Sequence, residues 1–488
     1  MRKIGVVLAS VALSVGVLFF GSYVGPENSL PKAKAQTARP NMVFILTDDM
    51  RKDDLRYMPK TRSLLKGKGM SFENAFVSNA LCCPSRSTIM RGQYSHNTGV
   101  WTNVNSTAGG WQAYKQNGNE ADNVATRLHS AGYRTALIGK YLNGYHDTTY
   151  EPPGWDRWFA TFDGTNGVFR YFDYDVNDQG TIRHYGTRSS DYKTDVISSK
   201  TDTFISNSAS LGKPFFAYVA PIAPHLPSTP APRDLHAYDG IRAPRLPSFD
   251  ERDVSDKPPW IRQLPRLTSS RIATIDNLHE NRVESLQAVD DLVGGVVRTL
   301  KNANAMRNTY VFFTSDNGWY HGEHRIPSEK WRPYEEDIHV PLLVRGPGVA
   351  AGSTAYKLAL NTDYLSTFTN LAGAPIPPYV DGRSLKPVFK GNVTTWRNAV
   401  LLEAAHNDVY VPHTPAYRGI RTVDTSTTSK RKYVEFASGA REFYKLDPDP
   451  YELTNRYNGA KPPASLASRL KALKTCSADT CRAAEDGQ

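Results

Sequence analysis

Four short apolar runs in this chain each end in residues able to do chemistry, and that pattern restricts the folds open to it. Residues 41–47, NMVFILT, are nearly all branched or apolar, as a strand buried on both faces must be. The run ends in Asp48-Asp49. Residues 134–139, RTALIG, end in Lys140; residues 214–220, PFFAYVA, lead through a proline-rich turn to His225; residues 310–315, YVFFTS, end in Asp316-Asn317-Gly318. Open parallel sheets are covered by helices and collect ligands outside the carboxyl ends of their strands. The runs therefore predict an α/β fold whose site gathers at one edge. PLLV at 341–344 adds a buried strand. Between the runs, Val283, Leu286, Val289, Leu292, Val293 and Val296 fall at helical spacing within 281–300, and 122–129 reads as a shorter helix stopped at Ala131-Gly132.

Residues 80–92 read ALCCPSRSTIMRG. Pro84 suits the first turn of a helix, where its missing N–H costs nothing. A helix starting here aims backbone N–H groups and a positive dipole end at whatever Cys82 touches. Arg86 adds a planar, permanently charged fork that matches a tetrahedral oxyanion. The segment reads as a nucleophile seated in an anion pocket; the alternative is a structural cysteine with Arg86 on a solvated face. Asp48, Asp49, Asp316 and Asn317 are all oxygen donors, which suit a hard divalent cation, Ca²⁺ or Mg²⁺, and no His/Cys set points to structural zinc. Taken alone, both acidic pairs are equally good turn or cap sequences.

The chain has 488 residues, enough for a large core in two packed lobes. Residues 1–35 start with Arg2 and Lys3, continue in an apolar run to Phe20, and offer Ala33-Lys34-Ala35 for cleavage. They read as a secretory signal, with an uncleaved N-terminal anchor as the alternative. Both place the body outside the cytosol, secreted or extracytoplasmic, and only the anchor involves a membrane. Cys476 and Cys481 are spaced for a short-loop disulfide in an oxidising compartment, whereas adjacent Cys82 and Cys83 are not expected to pair. The net charge of +11 favours acidic partners such as a sulfated polysaccharide, against the plainer reading of a soluble basic surface. Only Lys430-Arg431-Lys432 forms a tight cluster, and no nucleic-acid motif accompanies it.

In FILTDDM, ALCCPSRSTIMRGQYSHNTGV, GYRTALIGKYLNGY, APIAPHLP, FFTSDNG and YEEDIHVPLLVRGPG the chain resembles the type I sulfatases of the alkaline-phosphatase-like superfamily. LCCPSR with SHN, GKYLN and FDERDVSDKPPWI look most similar to N-acetylglucosamine-6-sulfatases. The resemblance implies a large, mostly parallel mixed sheet flanked by helices in residues 36–375. A smaller α+β domain carrying an antiparallel sheet would follow in 376–488. It implies hydrolysis of a sulfuric ester on a sulfated carbohydrate, with an aryl sulfate ester, a phosphonate or phosphate diester, or mere glycan binding as alternatives. Cys82 would be oxidised to formylglycine by a formylglycine-generating enzyme, and its hydrate would be the nucleophile. Ca²⁺, with Mg²⁺ as the alternative, would lie against Asp48, Asp49, Asp316, Asn317 and residue 82. Arg86 would hold the hydrate, Lys140 and Lys330 would bind sulfate, and His225 would protonate the leaving alkoxide. Many sulfatases read Gly-Lys-Trp-His-Leu-Gly where this chain has Gly139-Lys140-Tyr141-Leu142-Asn143-Gly144. That histidine is absent; Asn143 could supply a hydrogen bond but not act as a base, and His321 and His324 are candidates to approach the pocket, with exposed loop histidines as the alternative.

Overall fold

All four runs form strands, and their burial explains their composition. In the computed structural model Asn41–Thr47, Phe215–Ala220 and Thr309–Ser315 are buried at every position, and Arg134–Lys140 at every position but the first. The structure describes residues 39–487 apart from 165–166, 392, 408, 424–428, 458 and 460–462. Before these, only Met1, 8–10 and 12 are described, so the expected signal or anchor at 1–35 lies outside the described residues. Among the described residues no helix is long and apolar enough to cross a membrane.

The strands belong to a ten-stranded sheet. Across it the order is Ser353–Ala355, Met70–Phe72, Leu342–Arg345, Thr309–Ser315, Asn41–Thr47, Phe215–Ala220, Arg134–Lys140, Arg157–Thr161, Tyr174–Asp178 and Thr181–Tyr185. The five strands from Thr309–Ser315 to Arg157–Thr161 are mutually parallel, and antiparallel pairs flank them on both sides. Side chains of Asn41–Thr47 alternate between two cores, as a strand's period of two requires. Met42, Phe44 and Leu46 pack with Phe368, Leu365 and Ile89 on one face. Val43 and Ile45 pack with Ile197, Leu286 and Val293 on the other. Helices therefore cover both faces.

The helix predicted at 281–300 is Ser269–Asn302. It starts earlier because Thr268 caps it, its hydroxyl oxygen accepting from the Arg271 N–H at 3.2 Å. Its first turns are mostly solvent-exposed, so no apolar stripe announced them. The shorter helix is Val124–Ser130, capped by Asn123.

The C-terminal part builds a four-stranded antiparallel sheet of Ala399–Ala404, Tyr417–Val423, Lys430–Phe436 and Arg441–Lys445, followed by helix Ala464–Leu473. Its inner face shares one core with Phe76, Tyr94, Tyr334 and Ile338 of the larger part, and residues 39–488 form one unit. The Cys476–Cys481 disulfide is formed. The basic run at 430–432 is not an open patch, since Lys432 is buried with its Nζ 2.5 Å from Glu452 Oε1.

Candidate active site

Strand register brings the acidic residues together. Thr47 is level with Ser315, so Asp48 and Asp316 leave neighbouring strands side by side, and the Asp49 N–H donates to Asp316 Oδ1 at 3.1 Å. Asp49 has φ +68, a left-handed conformation that is uncommon outside glycine but that aspartate tolerates better than most residues. What holds it is Arg282 from the long helix, whose Nη2 donates to the Asp49 carbonyl at 2.5 Å while Nη1 donates to that of Pro224 at 3.1 Å. One strand further on, Gly139 has φ +120. A Cβ there would lie 2.1 Å from the Ala220 carbonyl oxygen, so only glycine lets Lys140 turn into the site.

Cys82 is the first residue of helix Cys82–Arg91 and is fully buried. Its Sγ lies 3.3 Å from Asp48 Oδ1 and 3.8 Å from Asp49 Oδ1, and accepts from Lys330 Nζ at 3.0 Å. Lys330 also pairs with Asp49 Oδ1. Lys140 Nζ lies 2.5 Å from Asp48 Oδ2. Arg86 Nε donates to Asp316 Oδ2 at 2.8 Å, while its Nη2 stands 3.5 Å from Asp48 Oδ2 with no hydrogen bond of its own. Not every amide at the helix start is open to an anion, because the Cys83 N–H donates to Asn103 Oδ1 at 2.8 Å.

Burial and charge set the protonation states. Burial pushes the Cys82 thiol well up, and Asp48 pushes it further, so the unmodified side chain stays a neutral thiol. Burial works against ionised Asp48 too, yet Lys140, His225 and Arg86 hold it well below the carboxylate range. Asp316 is pushed up to about 6 by burial and by Asp48. Burial disfavours the Lys330 ammonium, but Asp49 more than restores it. His225 is pulled down to about 4 by burial, against the pull of Asp49. Its ring stacks on Phe169 with centroids 4.1 Å apart. Its Nδ1 sits 2.7 Å from the Leu226 carbonyl oxygen, which fixes the proton there, and Nε2 faces Asp49 Oδ2 at 3.6 Å.

The structure thus brings Cys82, Arg86, Lys140, His225 and Lys330 together with Asp48, Asp49, Asp316 and Asn317. It corrects the expectation for His321 and His324. His321 turns the other way, its Nε2 3.3 Å from His279 Nδ1 in a buried cluster with Asp54. His324 is buried against Glu251, Nδ1 to Oε2 2.7 Å, and stacks on Tyr334. Both follow Trp319, which does line the cleft, yet neither histidine is among the residues that line it. Leu142 stands at the place of the absent histidine, and Asn143, the next residue, does line the cleft.

A cavity of about 490 Å³ opens onto Lys330 and His225, walled by Phe169, Trp319, Trp331 and Tyr410. None of these aromatic residues is visible as a site residue in the sequence. They sit on loops without periodicity, and only the placing of Trp331 beside Lys330 offered a signal.

Residues 40–374 match the family model described as Sulfatase. The chain belongs to the sulfatase family. As a sulfatase it is a sulfuric ester hydrolase on the alkaline-phosphatase-like fold. Residues 322–476 also match the model described as N-sulphoglucosamine sulphohydrolase, C-terminal. Human N-acetylglucosamine-6-sulfatase is 34% identical, over 92% of this chain and 87% of its own. An arylsulfatase of Volvox carteri is 32% identical, over 92% of this chain and 76% of its own. A protein solved in complex with its substrate D-glucosamine-2-N,6-O-disulfate superposes with a TM-score of 0.76 at 25% identity, covering 92% of this sulfatase and 99% of itself.

The Ca²⁺ associated with sulfatases fits this donor set. Ligand atoms of Asp48, Asp49, Cys82 and Asp316 lie within 4.8 Å of one another. Asp49 Oδ2 and Asn317 Oδ1 are buried without a hydrogen-bond partner, a costly state that a hard cation relieves.

Proposed function

We propose that this sulfatase is an exported enzyme that removes sulfate from a sulfated sugar, a 6-sulfated glucosamine unit fitting best, through a formylglycine made from Cys82. The observation that carries this is residue 82 itself: buried at a helix start, 3.0 Å from Lys330 Nζ and 3.3 Å from Asp48 Oδ1. A neutral thiol in that position is a poor nucleophile, whereas an aldehyde hydrate has a second hydroxyl with which to release sulfate. Ca²⁺ bound by Asp48, Asp49, Asp316 and Asn317 would draw charge from the sulfuryl oxygens.

The chain's own residues do the rest. Lys140 and Lys330 supply fixed, buried ammonium groups to the sulfate oxygens, and charges so poorly screened by water act strongly. Arg86 is held by Asp316 and offers its unpaired Nη2 to residue 82. Asp48 Oδ1 is within reach to accept a proton from residue 82. His225, with its Nδ1 committed to Leu226, has Nε2 as the atom that gives its proton to the leaving alkoxide. Sulfate anion in the site raises the affinity of that ring for a proton. The Cys476–Cys481 disulfide accords with an oxidising, extracytoplasmic compartment.

The aromatic walls of the cavity favour one second reading, an arylsulfatase. The test combines peptide mass spectrometry of residue 82, in protein from its native host, with turnover of N-acetylglucosamine-6-sulfate, 4-nitrophenyl sulfate and 4-nitrophenyl phosphate. We expect the aldehyde or its hydrate at position 82, and kcat/KM highest for the sugar sulfate. A preference for the phosphate, or full turnover with an intact cysteine, would overturn the proposal.

A further inference from the structure

Glu329 sets a problem that sulfate chemistry does not solve. Among the described residues lining the cavity it is the one carboxylate, next in the chain to Lys330, and it shares that lining with His225. A carboxylate there repels a sulfate ester and weakens the field of Lys330, so its presence opposes the anion binding that the rest of the site is built for. Its backbone is also strained: Glu329 has φ +82 and Trp331 φ +77, both in the left-handed region that bulky side chains avoid. The two bracket Lys330, which turns inward to Cys82. The Glu329 carbonyl accepts from the Tyr320 N–H at 3.1 Å, which fixes the backbone. Its carboxyl is half-buried and has no hydrogen bond or salt bridge to the described residues. Lys330 in turn spends its ammonium on Asp49 and Cys82.

A half-buried carboxylate on a fixed backbone, with lone pairs that no protein group takes up, is an acceptor open to a donor from a ligand. The sulfate end of a substrate has none to give. The rest of a sugar has several, as ring hydroxyls, and the walls suit its other faces. Trp319 and Trp331 offer flat apolar surface, and Val104 (63% exposed) and Val409 (64% exposed) form an apolar rim. An aryl sulfate would fill the aromatic part of this cavity while leaving the carboxylate unanswered. A ligand that displaces water from Glu329 without offering a donor forfeits the carboxylate's hydrogen bonds, so the site discriminates against it.

We propose that Glu329 is a specificity-determining residue that accepts a hydrogen bond from a hydroxyl of the sugar carrying the sulfate, and so selects sugar sulfates over aryl sulfates. This rests on the sulfated-sugar reading above. The test is the ratio of kcat/KM for N-acetylglucosamine-6-sulfate and other hexosamine sulfates to that for 4-nitrophenyl sulfate, in wild type, Glu329→Gln and Glu329→Ala, with melting curves to confirm folding. In Glu329→Ala the ratio is expected to fall about tenfold or more, chiefly through KM for the sugar. Glu329→Gln, which keeps one carbonyl acceptor, should fall less. A ratio unchanged within twofold in both variants, with wild type active on the sugars, would overturn the role of Glu329 alone. Wild type inert on every sugar sulfate yet active on the aryl ester would overturn the substrate reading and this inference with it.

Discussion

Lys330 Nζ is 3.0 Å from Cys82 Sγ although the two residues lie on opposite sides of the chain's centre, one opening a helix and the other in a loop between two left-handed residues. The contact ties the position of residue 82, the proposed nucleophile, to a charge that the helix itself does not carry. Cys82→Ala is therefore expected to lower kcat by several orders of magnitude while leaving the melting temperature within a few degrees, since Asp49 still holds Lys330. Steady-state kinetics and a thermal melt on the same preparation check this. Near-normal turnover would remove Cys82 from the chemistry.

Chelation should both inactivate and destabilise. Asp49 Oδ2 and Asn317 Oδ1 have no hydrogen-bond partner among the described residues, and a cation bound there stabilises the native state alone, by about 2.7 kcal/mol at a hundredfold excess over Kd. Differential scanning calorimetry after EDTA should show a lower Tm, restored by Ca²⁺. Identical melts with and without Ca²⁺ would exclude a site between these strands.

His225→Gln separates leaving groups. A sugar alkoxide needs a proton to depart and a nitrophenolate hardly does. Loss of the Nε2 proton should therefore cost about 10² or more in kcat for the sugar sulfate and much less for 4-nitrophenyl sulfate. Equal losses on both substrates would show that the ring only positions its neighbours.

Glu336 makes stability depend on pH. Burial, then repulsion from Glu323 and Glu452, push it up to about 8 from an ordinary 4.5. The folded state thus binds the proton more tightly than the unfolded chain. Its contribution is intact below about pH 4.5 and is lost as pH rises towards 8, at about 1.4 kcal/mol per unit of displacement. Glu336→Gln should flatten that part of the profile and raise the urea midpoint at pH 8 while changing it little at pH 5. Parallel profiles for variant and wild type would rule Glu336 out as the source.

The strands and the residues at their carboxyl ends were legible because double burial writes itself as an unbroken apolar run, and chemistry interrupts it. Helix Ser269–Asn302 was legible only where it packs; its exposed first turns carry no stripe. Phe169, Glu329 and Tyr410 were not legible, since they reach the cavity from loops whose course depends on tertiary contacts rather than on local pattern. Arg282 was hidden for the opposite reason: inside a regular helical stripe a buried arginine looks like an interruption of the core, and its task of holding Asp49 and Pro224 appears only in three dimensions. His321 and His324 misled because adjacency to Asp316-Asn317 in the chain is not adjacency in space.

The complete burial of Cys82 also orders events in time. With no surface at the sulfur, and with Asp48, Asp49 and Lys330 closed around it, no oxidising catalyst could grip this side chain in the finished protein. On the formylglycine reading proposed above, its conversion would belong to the nascent polypeptide, before the 41–47 and 309–315 strands come into register. A molecule that folded first would then be a permanent apoenzyme. The fraction of active protein in any preparation would report a race between synthesis, oxidation and folding in the producing cell, and lengthening the incubation after purification would not change it.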